Sequence, residues 1–209
     1  MKPKEGILMK DHYYEKLLNI TTTGEQKKYN ESIHYNVYEP TSYEALEILF
    51  KEYFLSKNDT IIDFGCGKGR LSFYSNYFYS CNSVGIEMNP YYHKCAINNI
   101  KSFNKKHKNI TNTITFINTL AEKYTINPSD NKFYFFNPFS EQIFIKVIQN
   151  ILYSIEESPR TVDIILYYPS DDYIFYLENN TSFSLLCEIP IDKLYKKNRR
   201  YKFLIYRLS

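Results

Sequence analysis

The chain has little of what marks secreted, metal-binding or membrane proteins. Its four cysteines in 209 residues are widely spaced, with no C-x-x-C pair and no histidine at metal-ligand spacing, so neither a disulfide framework nor a metal site is predicted. No apolar run approaches the ~18 to 20 residues of a membrane span, and the N-terminus lacks a long apolar core. We therefore expect a cytoplasmic protein without a membrane partner.

A strong net charge of one sign is also missing. The formal net charge of +3 is too small to indicate a polyanionic partner by itself. Two local tracts, Lys101 to Lys108 and Tyr195 to Lys202, are basic, and the second contains tyrosines that could stack on bases while its cations contact phosphates. Nucleic acid is one interpretation of these tracts, and a solvated face or loop is the other. If the second tract is the tip of a hairpin, it lies away from the site of chemistry.

Glycine is scarce, yet three of the six glycines fall at Gly65, Gly67 and Gly69. Because glycine loses the most backbone freedom on folding, such a cluster indicates a tight turn or the close approach of a ligand. The cluster follows the apolar run "TIIDF", which has the pattern of a buried strand and contains Asp63. Glu87 follows the next predicted strand, about 20 residues after Gly67, where a carboxylate accepts hydrogen bonds from ribose hydroxyls in nucleoside-binding folds.

An amphipathic helix is predicted just before the first of these strands. Apolar residues recur there at spacings of three and four, behind Pro40, and Thr41 or Ser42 can cap the helix start. The apolar face is formed by Leu46, Leu49, Phe50 and Phe54. A second strong helical pattern covers residues 140–157.

Strand-like and helix-like segments alternate along most of the chain, a pattern typical of α/β folds with a parallel sheet. The last two apolar runs, within residues 183–191 and 201–209, are separated by a loop too short for a crossover helix. We therefore predict a doubly wound, seven-stranded, mostly parallel sheet with helices on both faces and a C-terminal antiparallel hairpin. Residues 1–40 are expected to form an N-terminal segment or lid, and residues 41–209 the main domain.

The third glycine of "GCGKG" comes one residue too early for the dinucleotide fingerprint G-x-G-x-x-G. The run "IIDFGCGKG" resembles motif I of class I S-adenosylmethionine-dependent methyltransferases. The resemblance continues through "VGIEMNP", "FINTLAEKY" and "FYFFNPF" to the terminal hairpin. It implies a Rossmann-like methyltransferase domain over residues 41–209, with S-adenosylmethionine as the cofactor.

The resemblance also implies roles for the residues in these motifs. Gly65, Gly67 and Gly69 would pass close to the methionine part of the cofactor. Asp63 would contact its amino group, and Glu87 would hold the ribose. Taken singly, Asp63 could instead cap the following helix, and Glu87 could be a solvated strand end.

Further cofactor contacts are implied outside the glycine loop. Met88 would pack on the adenine, although alone it is more commonly a core residue, and Asn118 would lie at the polar edge of the adenine. The stretch "YEPTSY" looks like a lid over the cofactor, with Thr41 or Tyr43 able to reach its carboxylate.

On the acceptor side, "FFNPFS" resembles the [DNS]-P-P-[YFW] motif of methyltransferases that act on planar amino groups. Asn137 would accept a hydrogen bond from the target nitrogen, and Phe139 would stack on the target. Only one proline is present, and Asn-Pro could simply end a strand. Tyr167 and Tyr168 could line the acceptor pocket or fill core space.

The sequence therefore predicts a methyltransferase that uses S-adenosylmethionine, with a protein or nucleic-acid amino group favoured over a small molecule as acceptor. The alternative is a non-catalytic module on the same fold that binds the cofactor or nucleic acid. The prediction of the acceptor depends on far fewer residues than the prediction of the cofactor.

Overall fold

The structure, a computed structural model, describes residues 5–24, 38–110 and 112–209, and a single β-sheet lies at its centre. The strands are β1 (Thr60–Phe64), β2 (Asn82–Ile86), β3 (Ile114–Ile117), β4 (Lys132–Phe135), β5 (Val162–Tyr167), β6 (Ser184–Pro190) and β7 (Lys202–Leu208). Their order is β3-β2-β1-β4-β5-β7-β6. The first five in this order are parallel, and β7 is antiparallel to both of its neighbours. The predicted seven-stranded sheet with a terminal antiparallel hairpin is confirmed.

Helices cover both faces of this sheet. They are α1 (Glu5–Leu18), α2 (Tyr43–Glu52), α3 (Arg70–Tyr79), α4 (Pro90–Lys106), α5 (Glu141–Glu157), α6 (Asp171–Asn180) and α7 (Asp192–Tyr195), with a short 3₁₀ helix at Ala121–Lys123. Because side chains alternate across a strand, Ile61 joins the core beneath α1 to α4, whereas Ile62 joins the core beneath α5 and α6. Within the described ranges, no helix is both long and apolar enough to cross a membrane.

The first predicted helix forms, but it is shorter than its apolar pattern suggested. Ser42 caps α2 by accepting a hydrogen bond from the amide of Ala45 at 3.2 Å. The helix ends at Glu52 because Tyr53 adopts an extended backbone (φ −116°, ψ 118°). Tyr53 is therefore turned into the core, and Phe54 is 83% exposed. The assignment of Phe54 to the buried face was wrong.

The N-terminal helix is fastened to the rest of the fold through Arg70, the first residue of α3. This guanidinium is 4% exposed and donates to Asp11 at 3.1 Å and to the Thr22 hydroxyl at 2.7 Å. It also lies 4.3 Å from the ring centroid of Tyr43. Burying a guanidinium is costly unless it is paired and hydrogen-bonded, so these acidic and hydroxyl partners are what make its burial tolerable.

A second buried polar network stands at the amino-terminal edge of the sheet. Asp163, near the start of β5, is fully buried and accepts hydrogen bonds from Lys132 at 2.8 Å and Arg207 at 2.7 Å. The Tyr53 hydroxyl also donates to it. Burial alone would raise the pKa of Asp163, but the hydrogen bonds from Arg207 and Lys132 outweigh it and hold the pKa below its usual value. The network lies at the edge opposite the carboxyl ends of the parallel strands, so it bears on stability.

Candidate active site

A cavity of about 250 Å³ opens at the carboxyl ends of the parallel strands. In the sheet, β2 and β3 lie on one side of β1, and β4 and β5 lie on the other side. The strand order therefore reverses at β1, and ligands of open α/β sheets bind at such a reversal. The predicted site residues in its wall are Gly65, Glu87, Met88, Asn137 and Phe139. The structure thus brings predicted cofactor-side and acceptor-side residues together.

The glycine loop connects β1 to α3, and the backbone there requires glycine. Gly65 and Gly67 both have positive φ values, 79° and 55°, which L side chains rarely adopt. A Cβ on Gly65 would lie 2.8 Å from the Cβ of Pro138, and one on Gly67 would lie 2.0 Å from the ring of Tyr38. Gly69 precedes α3, and a Cβ on it would lie 2.3 Å from the ring of Phe116. Of the three loop glycines, Gly65 lines the cavity, whereas Gly67 and Gly69 do not. Close packing from two directions explains why glycines cluster here.

Glu87 follows β2 and holds this loop in place. Its carboxylate accepts hydrogen bonds from the amide of Gly67 at 2.9 Å and the amide of Asn89 at 2.7 Å. Burial raises the pKa of Glu87, and the two amide hydrogen bonds oppose that rise. Glu87 therefore lines the cavity as an anchored carboxylate, and its contact with ribose stays a prediction.

Asp63 is a buried carboxyl group next to the same loop, and it is only 6% exposed. Burial, followed by the nearby charge of Glu87, raises its pKa to about 8. Within the described ranges no group forms a hydrogen bond or ion pair with its carboxyl oxygens. A buried carboxyl group without a cation is costly when ionised, so a positively charged ligand group beside Asp63 would favour its ionised form. Asp63 itself is not among the described residues that line the cavity.

The other predicted cofactor residues divide between the cavity wall and its support. Met88 lines the cavity, whereas the exposed Asn118 donates to the backbone oxygens of Glu87 at 2.7 Å and Met88 at 3.0 Å. Thr41 is buried, and its hydroxyl shares a hydrogen bond of 2.7 Å with Tyr134. Tyr43 is 1% exposed. The structure therefore places neither Thr41 nor Tyr43 in the described cavity wall, and their contact with the cofactor stays a prediction.

The acceptor side is formed by the turn after β4. Asn137 there has a positive φ of 41°, and it lines the cavity with Pro138 and Phe139. The backbone oxygen of Phe139 accepts a hydrogen bond from the hydroxyl of Tyr173, which fixes the turn on α6. The turn is therefore tied to α6 and faces the glycine loop.

The two tyrosines at the end of β5 have different roles. Tyr168 lines the cavity and has a φ of 48°, which turns the chain out of the strand. Tyr167 is 4% exposed and packs on Phe203, with ring centroids 4.6 Å apart. Tyr168 therefore lines the pocket, whereas Tyr167 fills core space.

Several cavity residues were not predicted individually. They are Tyr38, Glu39, Ile86, Tyr92, Thr119, Ala121, Phe136 and Pro138. Tyr38 begins the predicted lid stretch, and its hydroxyl donates to the backbone oxygen of Thr22 at 2.9 Å. Its ring lies 4.7 Å from that of Tyr92, which stands on the first turn of α4. A residue on the first turn of the helix after β2 faces the same edge of the sheet, and this was the available signal for Tyr92.

Comparisons with known proteins agree with this geometry. A family model described as histone methylation protein DOT1 matches residues 18–127. A search of curated protein sequences gave no significant match.

Solved structures that are similar to the chain in fold include the following three. An RNA methyltransferase from Salinibacter ruber, bound to S-adenosyl-L-homocysteine, has 15% identity, a TM-score of 0.53, and coverage of 81% of this chain and 92% of that one. A human methyltransferase 10 domain containing protein has 10% identity, a TM-score of 0.61, and coverage of 98% and 97%. The N-terminal domain of human METTL16, bound to S-adenosyl-L-homocysteine (SAH), has 12% identity and a TM-score of 0.59. The match covers 97% of this chain and 80% of that one.

Proposed function

Because the chain belongs to the family of the histone methylation protein DOT1, a family of S-adenosylmethionine-dependent methyltransferases, we propose that it transfers a methyl group to an amino group of a nucleic acid or a protein. The observation that carries the proposal is the meeting of two motifs in one cavity. A Cβ on Gly65 of the glycine loop would lie only 2.8 Å from Pro138 of the acceptor turn. Donor and acceptor sites that share a wall are what direct transfer requires.

The cofactor is S-adenosylmethionine, in agreement with the demethylated product bound in two of the similar structures. The residues of this chain fit such a group. The buried carboxyl of Asp63 suits the cofactor's ammonium, the anchored carboxylate of Glu87 suits ribose hydroxyls, and Met88 supplies an apolar surface for the adenine. The cofactor supplies an activated methyl group on a sulfonium, and the chain has to hold the acceptor in line with it.

Orientation is therefore the main catalytic task of these residues. Holding two reacting groups in an aligned geometry can supply ~7 to 11 kcal/mol of the barrier reduction, so no covalent nucleophile is needed. Phe136 and Tyr168 line the cavity and are partly exposed, so their rings would exclude water while stacking on a flat acceptor. Phe139 also lines the cavity, but it is 2% exposed and its ring packs against Phe135 in the core. Asn137, beside them, would accept a hydrogen bond from the target nitrogen.

An aromatic wall favours an acceptor with a planar group, such as a base or an amide, over an aliphatic small molecule. Stacking on an aromatic side chain contributes ~1 to 3 kcal/mol per base. This supports the predicted preference for a macromolecular amino group. The same residues would serve a non-catalytic module that binds the cofactor or a base without transfer, which is the second candidate function.

Three further proposals concern the lid of the site, the division of the chain and the cellular location of the protein. We propose that the stretch beginning at Tyr38 acts as the lid of the site, because the Tyr38 ring lies against Gly67 and Tyr38 and Glu39 line the cavity. We also propose that residues 1–40 form an N-terminal segment and residues 41–209 the main domain. We also propose a cytoplasmic location, since all four cysteines are free, as expected in a reducing compartment.

The test uses radiolabelled S-adenosylmethionine and three acceptor pools: unmodified cellular RNA, a protein fraction that includes histones, and a small-molecule extract. We expect label in the RNA or the protein pool, and its loss in Asn137→Gly, which removes the side chain and keeps the positive φ accessible. Glu141→Gln, an exposed position at the start of α5, is the control and should retain transfer.

The remaining outcomes decide between the candidates. Label in the small-molecule pool alone would contradict the acceptor proposal. Label in none of the pools, from a protein that binds S-adenosyl-L-homocysteine, would favour the non-catalytic module. Label that persists in Asn137→Gly would remove Asn137 from the acceptor site.

A further inference from the structure

The basic tract between β6 and β7 lies beside the active-site cavity. Because β7 is antiparallel to β5, it begins where β5 ends: Phe203 pairs with Tyr167, and the amide of Tyr168 donates to the backbone oxygen of Lys202 at 3.1 Å. The connection 191–201 is therefore at the carboxyl edge of the sheet. The expectation that a tract at the hairpin tip lies away from the chemistry was wrong, because strand direction returns that tip to the site.

This connection packs directly on Tyr168, a residue of the cavity wall. The guanidinium of Arg200 lies 4.3 Å from the Tyr168 ring centroid, and Arg200 also donates to the backbone oxygen of Pro169 at 3.0 Å. The ring of Tyr201 lies 4.8 Å from that of Tyr168, and Asn198 donates to the Tyr168 hydroxyl at 2.9 Å. The basic surface and the cavity are thus continuous.

Three cations on this connection are exposed and have no close ion pair. They are Lys196, Lys197 and Arg199, and no described carboxylate lies within ion-pair distance of them, although the charge of Arg199 helps to lower the pKa of Glu188. Lys202, by contrast, is paired with Glu188 at 3.0 Å. Arg199 lies 4.7 Å from the ring centroid of Tyr195, so the charge sits next to an aromatic surface. Exposed cations interleaved with aromatic rings are the features that bind phosphates and bases of single strands.

The other basic tract, Lys101 to Lys108, does not share this position. It lies at the end of α4, a helix of 17 residues that starts at the cavity edge and runs away from it for roughly 25 Å at 1.5 Å per residue. Lys106 there donates to the backbone oxygens of Lys16 and Leu17 at 2.8 and 3.0 Å. This tract therefore caps the carboxyl end of α1, and it can serve as a control for the effect of removing charge.

We infer that residues 196–200 form a docking surface for single-stranded nucleic acid, whose phosphates contact Lys196, Lys197 and Arg199 while one base enters the cavity beside Tyr168. The entry of the base rests on the proposed function, whereas the phosphate contacts do not. RNA and DNA share the phosphate chemistry, so the affinity is measured for both. An acidic peptide would use the same cations without the neighbouring rings.

The test measures fluorescence anisotropy of a labelled unstructured 12-nucleotide RNA, and of the DNA of the same sequence, at several salt concentrations. The triple variant Lys196→Gln/Lys197→Gln/Arg199→Gln is compared with Lys101→Gln/Lys105→Gln/Lys108→Gln, which removes the same charge from the distant tract. Each lost phosphate contact lowers the salt slope by ~0.7 for single strands. We expect the first variant to lose about 2 from the slope and to bind roughly 100-fold more weakly at 0.1 M salt, and the second to match the wild type.

Equal affinity of the wild type and the first variant, an equal loss in both variants, or competition by poly-glutamate as strong as by unlabelled RNA would overturn the inference. Binding of S-adenosyl-L-homocysteine is measured on the same three proteins and should be unchanged. Loss of nucleic-acid binding with intact cofactor binding refutes only this surface. Absent cofactor binding with intact, variant-sensitive nucleic-acid binding refutes only the proposed methyl transfer.

Discussion

Replacing Asp63 by asparagine should stabilise the protein while weakening its cofactor site. The Asp63 carboxyl has a pKa of about 8 in the fold against an ordinary value of 3.8, because burial and the charge of Glu87 both oppose its ionisation. Below pH 3.8 the folded and unfolded chains both hold the proton, and there is no penalty. Between these values the unfolded chain is ionised and the folded chain stays protonated, so the free energy of unfolding falls as pH rises.

The size of this effect follows from the two pKa values. Each pH step within the window costs about 1.4 kcal/mol, so the penalty at pH 7 approaches ~4 kcal/mol. Asp63→Asn has no titrating group there and should be more stable than the wild type by up to that amount at pH 7. In a chain of this length 1 kcal/mol shifts Tm by ~2 to 4 °C, which gives a gain of roughly 8 to 16 °C. Near pH 4 the gain should vanish.

The assay is thermal unfolding followed by circular dichroism between pH 4 and 8, since the chain has no tryptophan for fluorescence. Asp172→Asn is the matched control because Asp172 is exposed in the first turn of α6, and its effect should stay within about 1 kcal/mol. A difference between wild type and Asp63→Asn that does not change with pH would refute the reasoning. So would a variant that is less stable at pH 7.

Three other substitutions test the buried contacts that stabilise the fold and the glycine loop. Asp163→Asn should lower the free energy of unfolding by ~3 to 5 kcal/mol in urea denaturation, because Lys132 loses its carboxylate partner at 2.8 Å and keeps only Asp59 at 3.8 Å; an unchanged midpoint would contradict the network. Gly67→Ala should destabilise more than Gly24→Ala, since both glycines have positive φ but only the first has a ring in the way; equal losses would show that strain alone matters. Arg70→Gln should speed proteolysis within residues 5–24, and unchanged cleavage would mean that α1 is held by packing alone.

Most of the fold could be predicted because its signals are local. Strand-like runs alternate with helical patterns over the whole central region, and the short terminal connection leaves an antiparallel pairing as the only simple solution. The signal is weakest for α6, which has just two buried residues, Tyr173 and Leu177, one turn apart. An apolar face that small is difficult to separate from a loop.

The site could be predicted where the backbone conformation requires a particular residue type. Gly65 and Gly67 could be identified because a positive φ and close packing leave no other choice. Arg70 could not, since its partners lie on α1 and in the segment that follows, far away in sequence. The position of the second basic tract was available from strand direction alone, because a strand antiparallel to β5 has to start at the cavity edge.

The most direct test of the cofactor assignment is calorimetric titration of the folded protein with S-adenosyl-L-homocysteine. We expect binding of one ligand per chain, weakened roughly 10- to 100-fold in Glu87→Gln through the loss of charge-assisted hydrogen bonds worth ~1.5 to 3 kcal/mol, with an unchanged circular dichroism spectrum. No heat of binding from properly folded wild-type protein, to this product or to S-adenosylmethionine, would contradict the account.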